Sequence, residues 1–339
     1  MFRLDDESPP RSAATIPVAV WIDHGADALA TALATDLAQE LETAWGWRIH
    51  AVGGERRALV TSWAARTGAQ EMGTLRELGR CGAQLLLVLS RESPADADLD
   101  VLVEGDLTVV VTAPAPPSLV EAHRLGDRVT RLRTVPLFRW SDAFRTAQPM
   151  IEEFLTDGPP RSINVRVRAG PDPSGLHTMD GMLADACDVV LELVNGVEHV
   201  VAFARPASGG EEARFYSALA RTDTGGIVAI DLADTGGWCR EVELIGSAGR
   251  LRIEDGLIRR WDRTGQQSEC HELAAADPPV TNSVSACIEA LRTVARLRLP
   301  REEPQRLAAR LAFMDAARLS ARTGNAESPS RMDELAARP

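Results

Sequence analysis

Trp238-Cys239-Arg240-Glu241-Val242-Glu243-Leu244-Ile245-Gly246-Ser247-Ala248-Gly249-Arg250-Leu251-Arg252-Ile253-Glu254-Asp255-Gly256 carries the architecture of the second half of the chain. Over 241–246 and again over 250–254, charged and apolar side chains alternate, which is the period of a strand with one buried face. Ser247-Ala248-Gly249 and Asp255-Gly256 supply turn chemistry. The stretch therefore predicts successive antiparallel strands, with 257–262 as the next. The same period recurs over 162–168, 197–205, 213–221 and 226–231. Helical spacing covers 142–156, 179–194, 284–296 and 305–322, the last ended by Gly324. Together these predict a large, mostly antiparallel sheet with helices on one face.

Upstream the pattern changes. Residues 17–22, 47–52, 84–90, 107–112 and 131–138 are short apolar runs, separated by helical stretches over 26–43, 57–69, 74–82, 99–104 and 118–127. Strands alternating with helices through short links require right-handed crossovers and hence a parallel sheet. The fold class expected is α/β, a doubly wound parallel-sheet domain followed by an α+β domain. The 339 residues have room for both. The expected divisions are a flexible leader (1–14), the first domain (15–137), the second domain (138–324) and a disordered tail (325–339).

All 37 residues counted as lysine plus arginine are arginine. Without lysine there is no Schiff-base amine, no lysine acid–base group and no lysine phosphate anchor. Arginine, with a pKa above about 12, does not replace it as a proton shuttle. The formal charge of −12 opposes nucleic-acid phosphates and anionic membrane surfaces, so neither is an expected partner. Cys81, Cys187, Cys239, Cys270 and Cys287 are scattered without a Cys-x-x-Cys pair, which predicts reduced thiols in a cytoplasmic protein and no metal site. No apolar run approaches the roughly 18 residues of a membrane helix. Residues 1–10, acidic and proline-rich, do not read as a secretory signal.

Three stretches carry a resemblance. The segment at 238–256 is similar to a second-domain strand that ends in Gly-Thr-x-Gly and returns. Phe138-Arg139-Trp140-Ser141-Asp142-Ala143-Phe144 is similar to an Arg-Phe-x-Pro-x-Phe stretch where two domains join. Ala317-Arg318-Leu319-Ser320-Ala321-Arg322-Thr323-Gly324 is similar to a last helix ending in Ser-x-x-x-Gly. With the order of elements, these resemble the Gfo/Idh/MocA oxidoreductases, which include glucose–fructose oxidoreductase and inositol dehydrogenase. The resemblance implies a Rossmann-like first domain, a small-molecule ligand in the interdomain cleft, and a homodimer or homotetramer through the C-terminal sheet.

The chain departs from that family at four places. The family's Gly-x-Gly-x-x-Gly falls on Ile22-Asp23-His24-Gly25-Ala26-Asp27, where only Gly25 remains, one place out of register. Glycine is needed there so that backbone can approach the pyrophosphate and the helix can present its amides. Asp23 and Asp27 instead bring carboxylates, which also read as simple helix caps. The second strand exits through Gly53-Gly54-Glu55-Arg56-Arg57, without the ribose-binding acid; Arg56 and Arg57 could meet a 2′-phosphate or simply be solvated. The family's Glu-Lys-Pro corresponds to Thr112-Ala113-Pro114. Its catalytic histidine, counted back from Gly196, falls on Ala186 or Cys187, while His177, Asp185 and Asp188 lie nearby.

These departures predict a relative that has lost nicotinamide-dependent hydride transfer. It would act as a non-redox biosynthetic enzyme, or as a binding or partner subunit, on a carbohydrate-like or natural-product ligand, with no cofactor. The alternative is a divergent NADP-dependent oxidoreductase of a sugar-like or secondary-metabolite substrate. A third reading is a binding pocket without chemistry, with Trp140 and Trp238 as stacking surfaces. The candidate catalytic residues are His177, Asp185, Asp188 and Arg139, with Arg139 as a carboxylate or phosphate clamp. The candidate cofactor contacts are His24, Gly25, Arg56, Arg57 and Thr112.

Overall fold

The computed structural model describes residues 15–36, 46–104, 107–170, 178–205, 215–273, 280–296 and 304–337. The leader expected over 1–14 lies outside the described residues, as does His177.

The first sheet has six parallel strands: β1 (Ile16–Ile22), β2 (Trp47–Gly54), β3 (Gln70–Met72), β4 (Leu85–Leu89), β5 (Thr108–Val111) and β6 (Leu132–Thr134). Their order is β3-β2-β1-β4-β5-β6, so the chain reverses direction across the sheet between β1 and β4. In doubly wound sheets that switch point opens the ligand crevice. Val18, Val20, Ile22, Leu85, Leu87 and Leu89 are buried, because strands covered by helices on both faces read as unbroken apolar runs. Helices α1 (Asp27–Asp36), α2 (Arg57–Thr67), α3 (Leu75–Leu78), α4 (Asp96–Glu104) and α5 (Leu119–Leu125) connect the strands. The remainder of the first expected helix, 37–43, lies outside the described residues. Only Leu132–Thr134 of the strand expected over 131–138 is extended, because a 3-10 turn, Gly126–Arg131, enters it from one side.

The second sheet has eight strands: β7 (Ser162–Arg168), β8 (Val197–Arg205), β9 (Phe215–Thr222), β10 (Ile227–Ala233), β11 (Cys239–Gly246), β12 (Gly249–Glu254), β13 (Leu257–Trp261) and β14 (Gln267–Glu272). The order is β14-β13-β12-β11-β7-β10-β9-β8, antiparallel throughout except between β7 and β10. Its inner face is a packed row that includes Val165, Val167, Val228, Ile230, Val242, Leu244, Leu251 and Ile253. Helices α6 (Asp142–Thr156), α7 (Met179–Leu193), α8 (Ser283–Arg296), α9 (Pro304–Thr323) and α10 (Pro329–Ala336) complete the chain.

Two features differ from the sequence reading. Helix α8 follows the second sheet in sequence, yet Ala286, Cys287, Ala290 and Leu291 pack into the core of the first sheet with Leu29 and Val18. The segment from Asn325, polar in composition, is ordered: Glu327 bridges to Val200, and α10 buries Met332 in the second core. Pro329, Met332 and Ala336 anchor that helix although its mean composition is polar.

Candidate functional site

At the switch point, the turn after β1 is Asp23-His24-Gly25-Ala26. The Asp23 carboxylate accepts the amide of His24 at 2.7 Å, and the Asp23 carbonyl accepts the amide of Ala26 at 3.3 Å. Gly25 has φ +86°, and a Cβ there would meet Cδ of Arg91 at 3.2 Å. The stem of Arg91, which follows β4, therefore lies over the turn. Asp27 opens α1 and pairs with Arg56, whose Nε donates to it at 3.1 Å while Nη2 makes a second, shorter contact. On the other flank, a Cβ at Gly54 (φ +154°) would come within 2.2 Å of the Ile22 carbonyl oxygen, so the exit of β2 is closed against β1.

The N-terminus of a helix is a natural anion site. Here Asp23 takes the amides of His24 and Ala26 just before α1, and Asp27 occupies the first position of the helix. A diphosphate would face both carboxylates, and like charges about 5 Å apart repel by up to ~3 kcal/mol at an effective dielectric near 20. The turn thus presents two carboxylates, that of Asp27 paired with Arg56, where dinucleotide-binding folds seat a pyrophosphate. Of the candidate contacts, His24 and Arg57 are exposed, Gly25 is covered by Arg91, and Arg56 is engaged by Asp27. Thr112 binds protein: its hydroxyl donates to the Ser90 carbonyl at 2.7 Å and accepts the Ser90 amide at 2.9 Å. This clamps the ends of β4 and β5 together.

Between the sheets lies a cavity of about 20 Å³, lined by residues that include Arg91, Thr112, Ala113, Leu137, Asp185 and Arg310. That is room for about one water molecule. The face of α7 that meets it carries Thr178, Gly181, Ala184 and Asp185, the spacing of one helical stripe. Ala186 and Cys187, the counted histidine positions, are fully buried in the second core instead. Burial also pushes the Cys187 thiol up from its ordinary pKa, so it is not a thiolate nucleophile.

Asp185 is only 4% exposed, and its Oδ1 accepts the Phe138 amide at 3.3 Å. Burial pushes its pKa up to about 7, against the lowering effects of that amide and of the Arg240 charge. A carboxyl that titrates near neutrality can both give and take a proton. Asp188, one turn on, has a different environment. Its carboxylate lies 2.8 Å from Arg139 Nε, 3.6 Å from Arg310 Nη1 and 3.8 Å from Arg306 Nε. Glu192 joins the same network through Arg139, at 3.1 Å, and through Arg306. Arg139 is thus held by α7, and its guanidinium also lies 5.7 Å from the Trp140 ring.

A second buried node fixes the junction from behind. The Arg240 side chain is wholly buried, and donates to Asp255, to Glu289 and to the Leu137 carbonyl, each at 2.8 Å. Burial opposes its charge, but Asp255 and Glu289 outweigh that and hold the guanidinium above its ordinary range. Glu289 also accepts the Asp142 amide at 2.8 Å. Strand β11, the segment ending at Phe138 and helix α8 therefore meet on one guanidinium. Trp238, a candidate stacking surface, donates to Asp255 at 2.8 Å and packs against the first core, as does Trp140. Arg91, Arg240, Glu289, Arg306 and Arg310 were not among the residues singled out from the sequence. The signal for Arg310 was its place on the apolar stripe of α9, and for Arg91 its position directly after the strand at the switch point.

Among the described residues, no group of His, Cys, Asp or Glu is arranged to hold a metal ion, and no helix is long and apolar enough to cross a membrane. No family model and no curated protein sequence matches the chain. Solved structures do. GenD2 of gentamicin A biosynthesis, solved in complex with NAD, is 18% identical with a TM-score of 0.70, covering 95% of this chain and 99% of its own. An Agrobacterium radiobacter oxidoreductase solved with NAD+, L-tartaric acid and magnesium is 15% identical with a TM-score of 0.73, covering 94% and 99%. A myo-inositol dehydrogenase from Corynebacterium glutamicum is 13% identical with a TM-score of 0.68, covering 93% and 98%. The chain has the two-domain fold of Gfo/Idh/MocA-type dehydrogenases along essentially its whole length.

Proposed function

We propose that this chain keeps the dehydrogenase fold but has lost nicotinamide-dependent hydride transfer. It takes a small carbohydrate-like or natural-product ligand at the junction between the domains, whose cavity of about 20 Å³ must widen to admit it, as a non-redox biosynthetic enzyme or as a binding or partner subunit. The observation that supports this reading is the turn after β1, where Asp23 takes the amides of His24 and Ala26, Asp27 begins the helix, and Arg91 covers Gly25. In the enzymatic form Asp185 is the proton carrier, and Arg310, on the same cavity wall, complements negative charge developing on a substrate oxygen. Arg139 and Asp188 act as positioning residues that hold Arg310 and the cavity-facing stripe of α7 in register.

The test is a set of thermal melts with NAD, NADH, NADP and NADPH. Flat melts are expected. A ligand at a hundredfold excess over its dissociation constant stabilises by about 2.7 kcal/mol, so a clear upward shift with any of the four overturns the reading. A divergent NADP-dependent oxidoreductase is the second reading, favoured by the solved relatives of this fold that hold NAD. Exposed Arg57 would then meet the 2′-phosphate, since Arg56 is engaged.

The same proposal includes a homodimer or homotetramer through the outer face of the second sheet. Phe203, Leu219 and Ile227 support it, each more than half exposed on strands β8 to β10.

A further inference from the structure

Most of the neutral polar groups on the wall of the junction cavity are already used by the protein. The Thr112 hydroxyl is closed onto both main-chain groups of Ser90. Thr134 repeats that arrangement on the next strand, where its hydroxyl donates to the Ala115 carbonyl at 3.1 Å and accepts the Ala115 amide at 3.0 Å. Thr178 caps α7, its hydroxyl oxygen accepting the Gly181 amide at 3.1 Å. Pro114 and Pro136 have no amide to offer, and Ala113, Val135 and Ala184 contribute only hydrocarbon side chains.

Three charged groups complete the lining. Arg91 stands on the wall of the first domain, and Asp185 and Arg310 on that of the second. Arg91 makes no hydrogen bond or ion pair among the described residues. Its side chain is exposed and covers Gly25 only with its stem, so it can swing aside and widen the cavity without breaking an ion pair. Arg310, in contrast, is 3% exposed and fixed beside Asp188 at 3.6 Å.

A guanidinium carries five N–H donors in a planar fork and no acceptor. Whatever meets Arg91 and Arg310 must therefore accept hydrogen bonds, and a carboxylate matches the fork in both shape and charge. The charges behind the wall agree. Asp188 and Glu192 answer Arg139, Arg306 and Arg310, two negative groups against three positive, so that network keeps a positive charge. Arg91 adds another from the opposite domain.

We infer that the ligand of this junction is a small hydroxy acid, its carboxylate gripped between Arg91 and Arg310 and a neighbouring hydroxyl set against Asp185. The inference rests on the reading of the junction as the ligand site and narrows that reading to an anionic class. One carboxylate would then tie the two domains together, because its two guanidinium partners come from different sheets.

The test is isothermal titration calorimetry of the full-length protein with D-glycerate and D-gluconate. Each acid is set beside its neutral counterpart, glycerol or D-glucitol, which has a hydroxymethyl group in place of the carboxylate, and sodium chloride holds the ionic strength constant. Saturable binding of at least one acid is expected, with its neutral counterpart at least tenfold weaker. Arg91→Gln raises the Kd of the acid about tenfold, the loss of one charge-assisted contact, and leaves the melting temperature of the unliganded protein little changed. Arg91→Lys, which keeps the charge but not the fork, recovers part of that loss. Equal affinity for an acid and its neutral counterpart would overturn the anionic class and leave the junction as a ligand site. Binding of neither acid overturns the inference, and so does an acid Kd that Arg91→Gln leaves unchanged. Failure of the underlying reading shows separately, as a shift in the nicotinamide melts.

Discussion

Replacing Asp185 by Asn tests the proton carrier without touching the fold. The asparagine carbonyl can still accept the Phe138 amide, so the change removes titration and little else. The sign follows from linkage. The folded-state pKa, about 7, lies above the unfolded value of 3.8, so the native state binds the proton more tightly. Stability from this group is present at low pH and is lost as pH rises through 7. At pH 5 the native carboxyl is protonated while the unfolded one is mostly ionised, a gain of roughly two pK units, or about 2.7 kcal/mol. At about pH 8.5 both states are ionised and the gain is gone. Urea unfolding of wild type and Asp185→Asn at the two pH values isolates this term, because every other titration cancels in the difference. Wild type is expected to lose about 2.7 kcal/mol relative to the variant between pH 5 and pH 8.5. A difference that stays constant with pH would refute the argument that burial has moved this carboxyl toward neutrality.

Two further outcomes follow from the packing. Arg240→Met leaves Asp255 and Glu289 facing one another without their shared guanidinium, and should cost about 3–5 kcal/mol in denaturant unfolding; a loss below 1 kcal/mol would mean that the domain junction does not depend on this node. Leu219→Asp puts a charge into the apolar half of the outer sheet face, and should shift the protein to monomer in sedimentation velocity, while an unchanged profile would remove that face as the interface.

Much of the scaffold was legible in local pattern. Leu85–Leu89 has no polar residue and can only be a central strand, and 241–254 alternates so regularly that pairing and face follow together. Two of the edge strands were not legible. Gln70–Met72 and Gln267–Glu272 are polar on both faces and extended only because a neighbour offers them hydrogen bonds. Asp185 and Asp188 were visible as a pair three residues apart, but not what separates them. The partners of Asp188 come from Arg139, Arg306 and Arg310, at least 49 positions away in sequence, and no local period reports such a contact. Counting back from Gly196 put the family's histidine on Ala186 or Cys187, since a one-residue offset rotates a helical side chain by about 100° and exchanges cavity for core.

That rotation bears on why chemistry is plausible in a chain without lysine. Arginine stays charged at any accessible pH, so the arginines around the junction can fix geometry and complement negative charge, but none can carry a proton. A group that titrates near neutrality has to be made from something else. A carboxylate becomes one when burial outweighs the neighbouring positive charge. Asp188 is ringed by three guanidinium groups and holds them in place. Asp185 has the backbone amides of Phe138 and Leu137 and the charge of Arg240 to oppose its burial, and burial wins. The Asp188 network also draws Arg139 onto α7 and lies against Arg310, so the charge that would otherwise stabilise an ionised Asp185 is spent one turn away. Replacing Asp188 would therefore release positive charge toward the cavity and lower the Asp185 pKa, a coupling that ties the two carboxylates into one device although only one of them faces the cleft.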